Sequence, residues 1–276
     1  MDARILEAIR LMERNIGEDV QIDAVASEAG LSLHHFHRLF LSEVGETPAA
    51  FLRRVRMDEA AFRLKWADET TGEIAHALGF RSRPAFIRAF ERKFGLSPSS
   101  FRRSFRAGAV TLGDHGGFPV FMRDFPVMQI LSRRYIGDIS RMRTYWEDFC
   151  GRLPERLASG RSKLYVGQFH DDPRVTDPDK VRYDCGIALS VDCHALEHDR
   201  QFSGMEIIET YSGTYAGTRH IGHHSSIPDT YDLLCQKWII PSGRAPAAAP
   251  ALEIHATPRH LQDLESVDLT ILVPVE

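Results

Sequence analysis

Through the first hundred residues the apolar positions fall three and four apart, the spacing of a helix face. In "MDARILEAIRLMERNIG" the stripe is Ile5, Ile9, Met12 and Ile16, with charged residues between them. The pattern then occurs twice. Val25–Arg54 and Ile74–Arg103 align with one extra residue in the second copy, pairing Ala26 with Ala75, Gly30 with Gly79 and Phe36 with Phe86. Arg38, Phe40, Gly45, Pro48 and Phe51 pair with Arg88, Phe90, Gly95, Pro98 and Phe101. Each copy predicts a short helix (about 22–29 and 71–78), a glycine turn and a serine cap, Ser32 or Ser82. A second helix follows, Leu33–Val44 or Arg83–Phe94, and stops at a glycine. The next helix opens near a proline, which suits a first turn. Helix, glycine turn, helix is a helix-turn-helix unit. Residues 49–65, free of Gly and Pro, predict one long helix between the copies.

A second internal repeat lies further on. "RYIGDIS" (Arg134–Ser140) reappears as "RHIGHHS" (Arg219–Ser225), and the same offset of 85 pairs Trp146 with Tyr231 and Cys150 with Cys235. Those aromatics sit in amphipathic stretches, about 143–157 and 228–239. Each is preceded by one strand-like run and followed by two. Strand, helix, strand, strand, twice over, predicts an α+β domain with pseudo-twofold symmetry. "AGAVTLGDHGGF", Ala107–Phe118, is Gly-rich and breaks both patterns, so it is the expected linker. The expected organisation is therefore multidomain. An all-α double helix-turn-helix domain (1–106) is followed by a linker (107–118) and a pseudo-twofold α+β ligand-binding domain (119–276).

Composition narrows the function. No apolar run approaches 18 residues and the N-terminus lacks the apolar core of a signal peptide, so a cytoplasmic protein without a membrane partner is expected. The cysteines, Cys150, Cys185, Cys193 and Cys235, form no C-x-x-C pair and read as buried thiols. From Arg81 to Arg106 eight basic residues face a single acid, Glu91, which fits either a phosphate footprint or a solvated helix face. His34 and His37 share a helix face, but two histidines without a nearby cysteine fall short of a zinc site, so no metal or other cofactor is expected. The "HIGHH" stretch, His220–His224, likewise lacks a completing ligand set.

The motifs Gly79-Phe80, Phe86-x-Arg88-x-Phe90 and "FGLSP" (Phe94–Pro98), in a double helix-turn-helix frame, resemble the AraC/XylS-type DNA-binding domain over residues 1–106. "HDDP" (His170–Pro173), "RYD" (Arg182–Asp184), "HIG" (His220–Gly222), "PALE" (Pro250–Glu253) and "ILVPV" (Ile271–Val275) resemble the GyrI-like effector-binding domain. The resemblance implies a DNA-binding transcription regulator that senses a small, amphipathic or cationic ligand. Its partners would be double-stranded DNA and the effector, with RNA polymerase allowed as a further one and the oligomeric state left open. Base-facing family positions fall on His34, His37 and Arg38, and on Arg83, Pro84, Ala85, Ile87 and Arg88. Pro84 stands where the family often has a polar residue. Arg102, Arg103 and Arg106 could hold phosphate or simply form an exposed basic helix end.

In the second domain the family's pocket glutamate corresponds to Glu253. Trp146, Phe149, Tyr183, Tyr231, Trp238 and His255 are candidate pocket walls, with core packing the competing role for each aromatic. His255 replaces a common family tyrosine. Some GyrI-like domains are hydrolases, so the alternative is Glu253 as a general base, or a ligand-sequestering protein fused to a DNA-binding domain. No second acid, nucleophile motif or metal set supports catalysis, and no enzyme is expected.

Overall fold

The computed structural model describes residues 1–109, 119–154, 157, 163–189 and 204–276. The chain divides into two compact units, Met1–Thr111 and Leu112–Glu276. Among the described residues seven helices make up the first: α1 (Ala3–Arg14), α2 (Ile22–Glu28), α3 (Leu33–Val44), α4 (Pro48–Trp66), α5 (Thr71–Ala77), α6 (Arg83–Phe94) and α7 (Pro98–Ala109). The expected linker thus begins inside α7, and from residue 110 to 118 it lies outside the described residues.

Local chemistry places these boundaries. Ser32 and Ser82 accept hydrogen bonds from the amides of His35 (3.4 Å) and Ala85 (3.3 Å), capping α3 and α6. Thr70 and Glu73 close a capping box on α5. Gly30, Gly45, Gly79 and Gly95 end four helices in the left-handed region, at φ 67°, 75°, 71° and 70°. The core repeats too. Phe36, Phe40 and Phe51 pack with centroids 5.5 Å (tilted) and 5.6 Å (edge-on) apart, and Phe86, Phe90 and Phe101 repeat this at 5.8 and 5.4 Å. Ile5, Ile9 and Met12 of α1 are fully buried, whereas Ile16 lies past the helix end and is half-buried.

The long helix α4 ties the two copies together through buried charge. Arg54 donates to Glu46 (2.9 Å) and Asp58 (3.3 Å), and Asp58 also pairs with Lys93 of α6. Arg56 donates to the carbonyls of Ile16 (2.8 Å) and Glu18 (2.5 Å), holding the turn after α1.

The second unit is one antiparallel eight-stranded sheet. Its strands are β1 (Val120–Phe125), β2 (Gln129–Gly137), β3 (Tyr165–Phe169), β4 (Val181–Ala188), β5 (Glu206–Glu209), β6 (Gly213–Gly222), β7 (Ala251–His255) and β8 (Val267–Pro274). Their order is β1-β6-β8-β7-β3-β4-β2-β5. Exchanging β1 with β5, β2 with β6, β3 with β7 and β4 with β8 reverses that order, so a pseudo-twofold axis passes between β3 and β7. Two strands exceed the expected plan: β1, and β5, which occupies the start of the long run read as one strand. They occupy the two sheet edges.

The helix α8 (Met142–Gly151) follows β2 and ends before the expected 157. Its counterpart starts as α9 (Ile227–Asp232) and continues as a π-helical stretch, Leu233–Ile239, where the sequence predicts one α-helix. The repeat offset grows from 85 at Cys235 to 86 at Ala251. A wider π-turn takes up such an extra residue without breaking the helix.

Two glycines of the first unit share a backbone conformation but differ in surroundings. A Cβ on Gly30 would meet nothing within 4 Å, whereas on Gly79 it would lie 2.6 Å from the Gly17 carbonyl oxygen. Gly30→Ala is expected to cost about 1 kcal/mol, the left-handed penalty alone, and Gly79→Ala substantially more. Urea unfolding of the full chain followed by far-ultraviolet circular dichroism measures both; equal losses would contradict the Gly17 contact.

Candidate functional site

The second helices of the two copies present matched faces. Over their first ten residues α3 and α6 follow the same sequence of exposed, half-buried and buried positions. Leu33, His34, Arg38 and Leu41 are exposed on α3, and Arg83, Pro84, Arg88 and Glu91 on α6. Phe36 and Phe40, or Phe86 and Phe90, anchor the opposite side. His37 and Ile87 are half-buried shoulders of these faces, as are His35 and Ala85. His35 therefore holds the same place as Ala85, although only Ala85 falls among the base-facing positions the resemblance implies. Among the described residues neither Arg38 nor Arg88 forms a hydrogen bond or ion pair. Arg102 differs: it donates to the carbonyls of Leu64 (3.2 Å) and Glu69 (2.5 Å), so its guanidinium ties α7 to the end of α4. Arg103 is exposed and donates to Ser100 (3.2 Å), and the Arg106 side chain lies outside the described residues.

In the sheet unit the two central strands bring Gly167 opposite Glu253. The offset of 86 that maps β3 onto β7 also maps Gly167 onto Glu253, so the pseudo-twofold axis runs through this pair. One member carries the carboxylate and the other carries nothing. The space over Gly167 is filled by Tyr183: a Cβ there would lie 2.0 Å from the phenol oxygen. Tyr183 donates to Glu253 Oε2 (3.3 Å) and accepts from Trp146 Nε1 (3.3 Å). Arg259, on a short 3₁₀ turn after β7, donates to the same Oε2 at 3.2 Å. His255 Nε2 lies 3.5 Å from it, and the ring stands 5.6 Å from that of Trp146.

All these groups are shut away from solvent; Glu253, His255 and Trp146 are 0% exposed and Tyr183 1%. Burial alone would raise the Glu253 carboxyl, but Arg259, then His255 and Tyr183, outweigh it and hold it below its ordinary value. Burial, then the Glu253 charge, pushes the phenols of Tyr183 and Tyr231 well above theirs, so both remain donors. Phe149 packs against Trp146 at 5.8 Å, and Tyr231 approaches through Phe169, 6.4 Å away. Trp238, half-buried in the π-helical stretch, has no ring contact or hydrogen bond with this group among the described residues.

Sequence reasoning did not single out Arg259 or Gly167. A lone arginine after a strand looks like any surface loop residue. Gly167 was reachable, because the 86-residue offset aligns it with Glu253. On the opposite sheet face, the residues of "HDDP" and "RYD" form buried ion pairs. Arg134 pairs with Asp184 (3.1 Å from Nη2), which also meets His170 Nε2 at 2.9 Å. Arg182 holds Asp171 at 2.6 and 2.9 Å. These pairs fasten β2, β4 and the loop before β4.

Helical unit and sheet unit match, in that order, the DNA-binding part of transcription regulators and a small-molecule-binding domain. Residues 25–104 match a helix-turn-helix domain family, and residues 118–276 match the GyrI-like small molecule binding domain. The chain belongs to that GyrI-like family and carries an AraC-type DNA-binding domain in front of it. The Right origin-binding protein of Escherichia coli K12 is 28% identical over 231 residues, 75% of this chain and 78% of that protein. The transcriptional activator RhaS of Escherichia fergusonii is 34% identical over 102 residues, 37% of each chain. The DNA-binding domain of the global transcriptional factor AdpA, solved with a target DNA, is 29% identical and covers 40% of this chain and 99% of its own, with a TM-score of 0.38.

Gly167→Ala forces the Tyr183 phenol off Glu253. The expected result is a fall in thermal midpoint of several degrees, since about 1 kcal/mol moves a domain of this size by ~2–4 °C. Differential scanning calorimetry measures it, and an unchanged midpoint would mean the phenol does not occupy that space.

Proposed function

We propose that this chain reads specific DNA with α3 and α6 and is controlled by a small amphipathic effector bound around Glu253. The observation that carries the DNA half is the pair of matched exposed faces, each with an arginine at its centre. Two such helices on one frame suit successive major-groove segments about one helical turn, ~34 Å, apart. Arg38 and Arg88, both exposed, suit bidentate hydrogen bonds to guanine edges. His34 and His37 add donors on α3, and Arg83 supplies a phosphate or base contact at the start of α6. Pro84, Ala85 and Ile87 offer only apolar contact, so α6 reads fewer base edges and depends more on shape and backbone.

The effector half rests on a charged carboxylate buried among Trp146, Tyr183, Tyr231 and His255, with Phe149 behind them and Trp238 on the neighbouring helix. Burying such a group costs several kcal/mol, and unlike the closed pairs on the other sheet face its Oε1 has no hydrogen-bond partner among the described residues, which favours a functional position over a packing one. Effector control requires that the ligand favour one of two states of the chain, with coupling typically ~1–3 kcal/mol. A hydrolytic role fits less well. An efficient general base has its pKa near the working pH, and the Glu253 carboxyl is displaced in the other direction. Among the described residues no helix is long and apolar enough to cross a membrane.

Arg38→Ala and Arg88→Ala are each expected to weaken specific binding by ~1–3 kcal/mol at fixed salt, without loss of helix content. Arg102→Ala should instead lower the stability of the helical unit. Selection of bound sequences from a random DNA pool, then titration of the selected duplex against each variant, tests this. Unchanged affinity and specificity in both Arg38→Ala and Arg88→Ala would refute the reading.

A further inference from the structure

Glu253 Oε2 takes every contact described for this carboxylate: Arg259, Tyr183 and His255. Its other oxygen, Oε1, is buried and has no hydrogen-bond partner among the described residues. The phenol oxygen of Tyr231 and Nε2 of His220 are also buried without one. Tyr231 packs against Phe169, whose ring lies 4.6 Å from that of Tyr183, and the β6–β8–β7 register puts His220 on the same sheet face as Glu253. His220 is fixed through its other nitrogen, Nδ1, 2.7 Å from Thr230 Oγ1. The group therefore has a spare acceptor, Oε1, and a spare donor, the Tyr231 hydroxyl. What it lacks is an unmatched charge, because the carboxylate already pairs with Arg259.

That ion pair is internal to the fold. Arg259 is 7% exposed, and its guanidinium lies 3.2 Å from the carboxylate. Removing one partner of such a buried pair is strongly destabilising, because the other charge is left uncompensated. A cationic ligand entering here would either add a second positive charge beside Arg259 or expel Arg259 at that cost. A neutral ligand avoids both penalties. It gains by giving a proton donor to Oε1 and accepting from Tyr231, two groups whose burial is otherwise unrepaid.

We propose that Arg259 sets the charge of the ligand: the Glu253 site takes an electrically neutral, aromatic or apolar molecule bearing an N–H or O–H donor, not a permanent cation. The inference rests on the effector-site reading above. Of the two ligand descriptions suggested by the sequence, it keeps amphipathic and drops cationic. Glu253 acts as an acceptor, Tyr231 as a donor and the surrounding rings as apolar walls. Arg259 acts through Glu253 and need not touch the ligand.

The test is calorimetric titration of the full chain at pH 7 with four probes of one shape: 2-naphthamide, N,N-dimethyl-2-naphthamide, 2-naphthyltrimethylammonium and 2-naphthoate. For the wild type, 2-naphthamide should bind about tenfold more tightly than each of the others, a difference of ~1.4 kcal/mol. Arg259→Met leaves the carboxylate unmatched, so the trimethylammonium probe should gain at least about tenfold and become the tightest. Arg259→Lys should keep the wild-type order. Glu253→Gln leaves Arg259 unmatched, and 2-naphthoate should become the tightest; this variant decides the matter if Arg259→Met fails to fold. A wild type that prefers the cation, with binding lost in Tyr231→Phe and Glu253→Gln, would overturn the charge-setting role of Arg259 and leave the effector site standing. Affinities for all four probes that are unmoved by Glu253→Gln and Tyr231→Phe, or no binding of any probe, would overturn the effector-site reading together with this inference.

Discussion

A carboxylate buried at the centre of a symmetric sheet needs compensation, and much of the second unit is arranged to supply it. Glu253 sits on the pseudo-twofold axis, where its mate is Gly167. Equality would have placed two acids or two glycines face to face. Instead one half gave up its side chain, and the vacated space admits the Tyr183 phenol. Arg259 then reaches back from the turn after β7 to balance the charge. Burial would push the carboxyl toward its neutral form; arginine, histidine and tyrosine together reverse that. The sheet's other face solves a similar problem with closed pairs, Arg134 with Asp184 and Arg182 with Asp171. There the charges fasten strands, whereas one oxygen of Glu253 has no hydrogen-bond partner among the described residues.

The helical unit uses duplication differently. Its two aromatic triads are close geometric copies, so both copies bury the same side of their second helix. With the buried side set by the rings, the exposed side could diverge without cost to the fold. Histidines on α3 are answered by proline, alanine and isoleucine on α6, and only the arginine at the centre of each face is shared. The buried cluster of Glu46, Arg54, Asp58 and Lys93 joins the copies across α4. A frame held this way lets each helix carry its own exposed residues on a common scaffold.

Several functional residues were legible because repetition exposes them. The caps, the four left-handed glycines and both exposed helix faces follow from one aligned grammar, and their local physics acts within a few residues. The surroundings of Glu253 were legible only as a set of aromatics. Tyr183 and His255 do meet Glu253 and Trp146 packs against both, while Trp238 in the π-helical stretch stands apart among the described contacts. A change of helix type rotates each later side chain, and a 3.6-residue stripe carries no sign of it. The basic run from Arg81 to Arg106 divides in the same way: Arg88 is exposed, but Arg102 is spent on two main-chain carbonyls. Composition alone cannot separate a phosphate ligand from an internal tie.

By itself the sequence determined the two-part plan, the double helix-turn-helix, the repeated α+β half and the resemblance that follows from them. Each of these is written in spacing, and spacing is a property of the chain. Only the tertiary structure decided which charges are matched. Arg259 lies six positions from Glu253 in the chain, yet Tyr183 lies 70 away and the vacancy at Gly167 belongs to the other half of the repeat. Whether a buried charge is balanced depends on distance and on exclusion of water, and both are set when the strands pair.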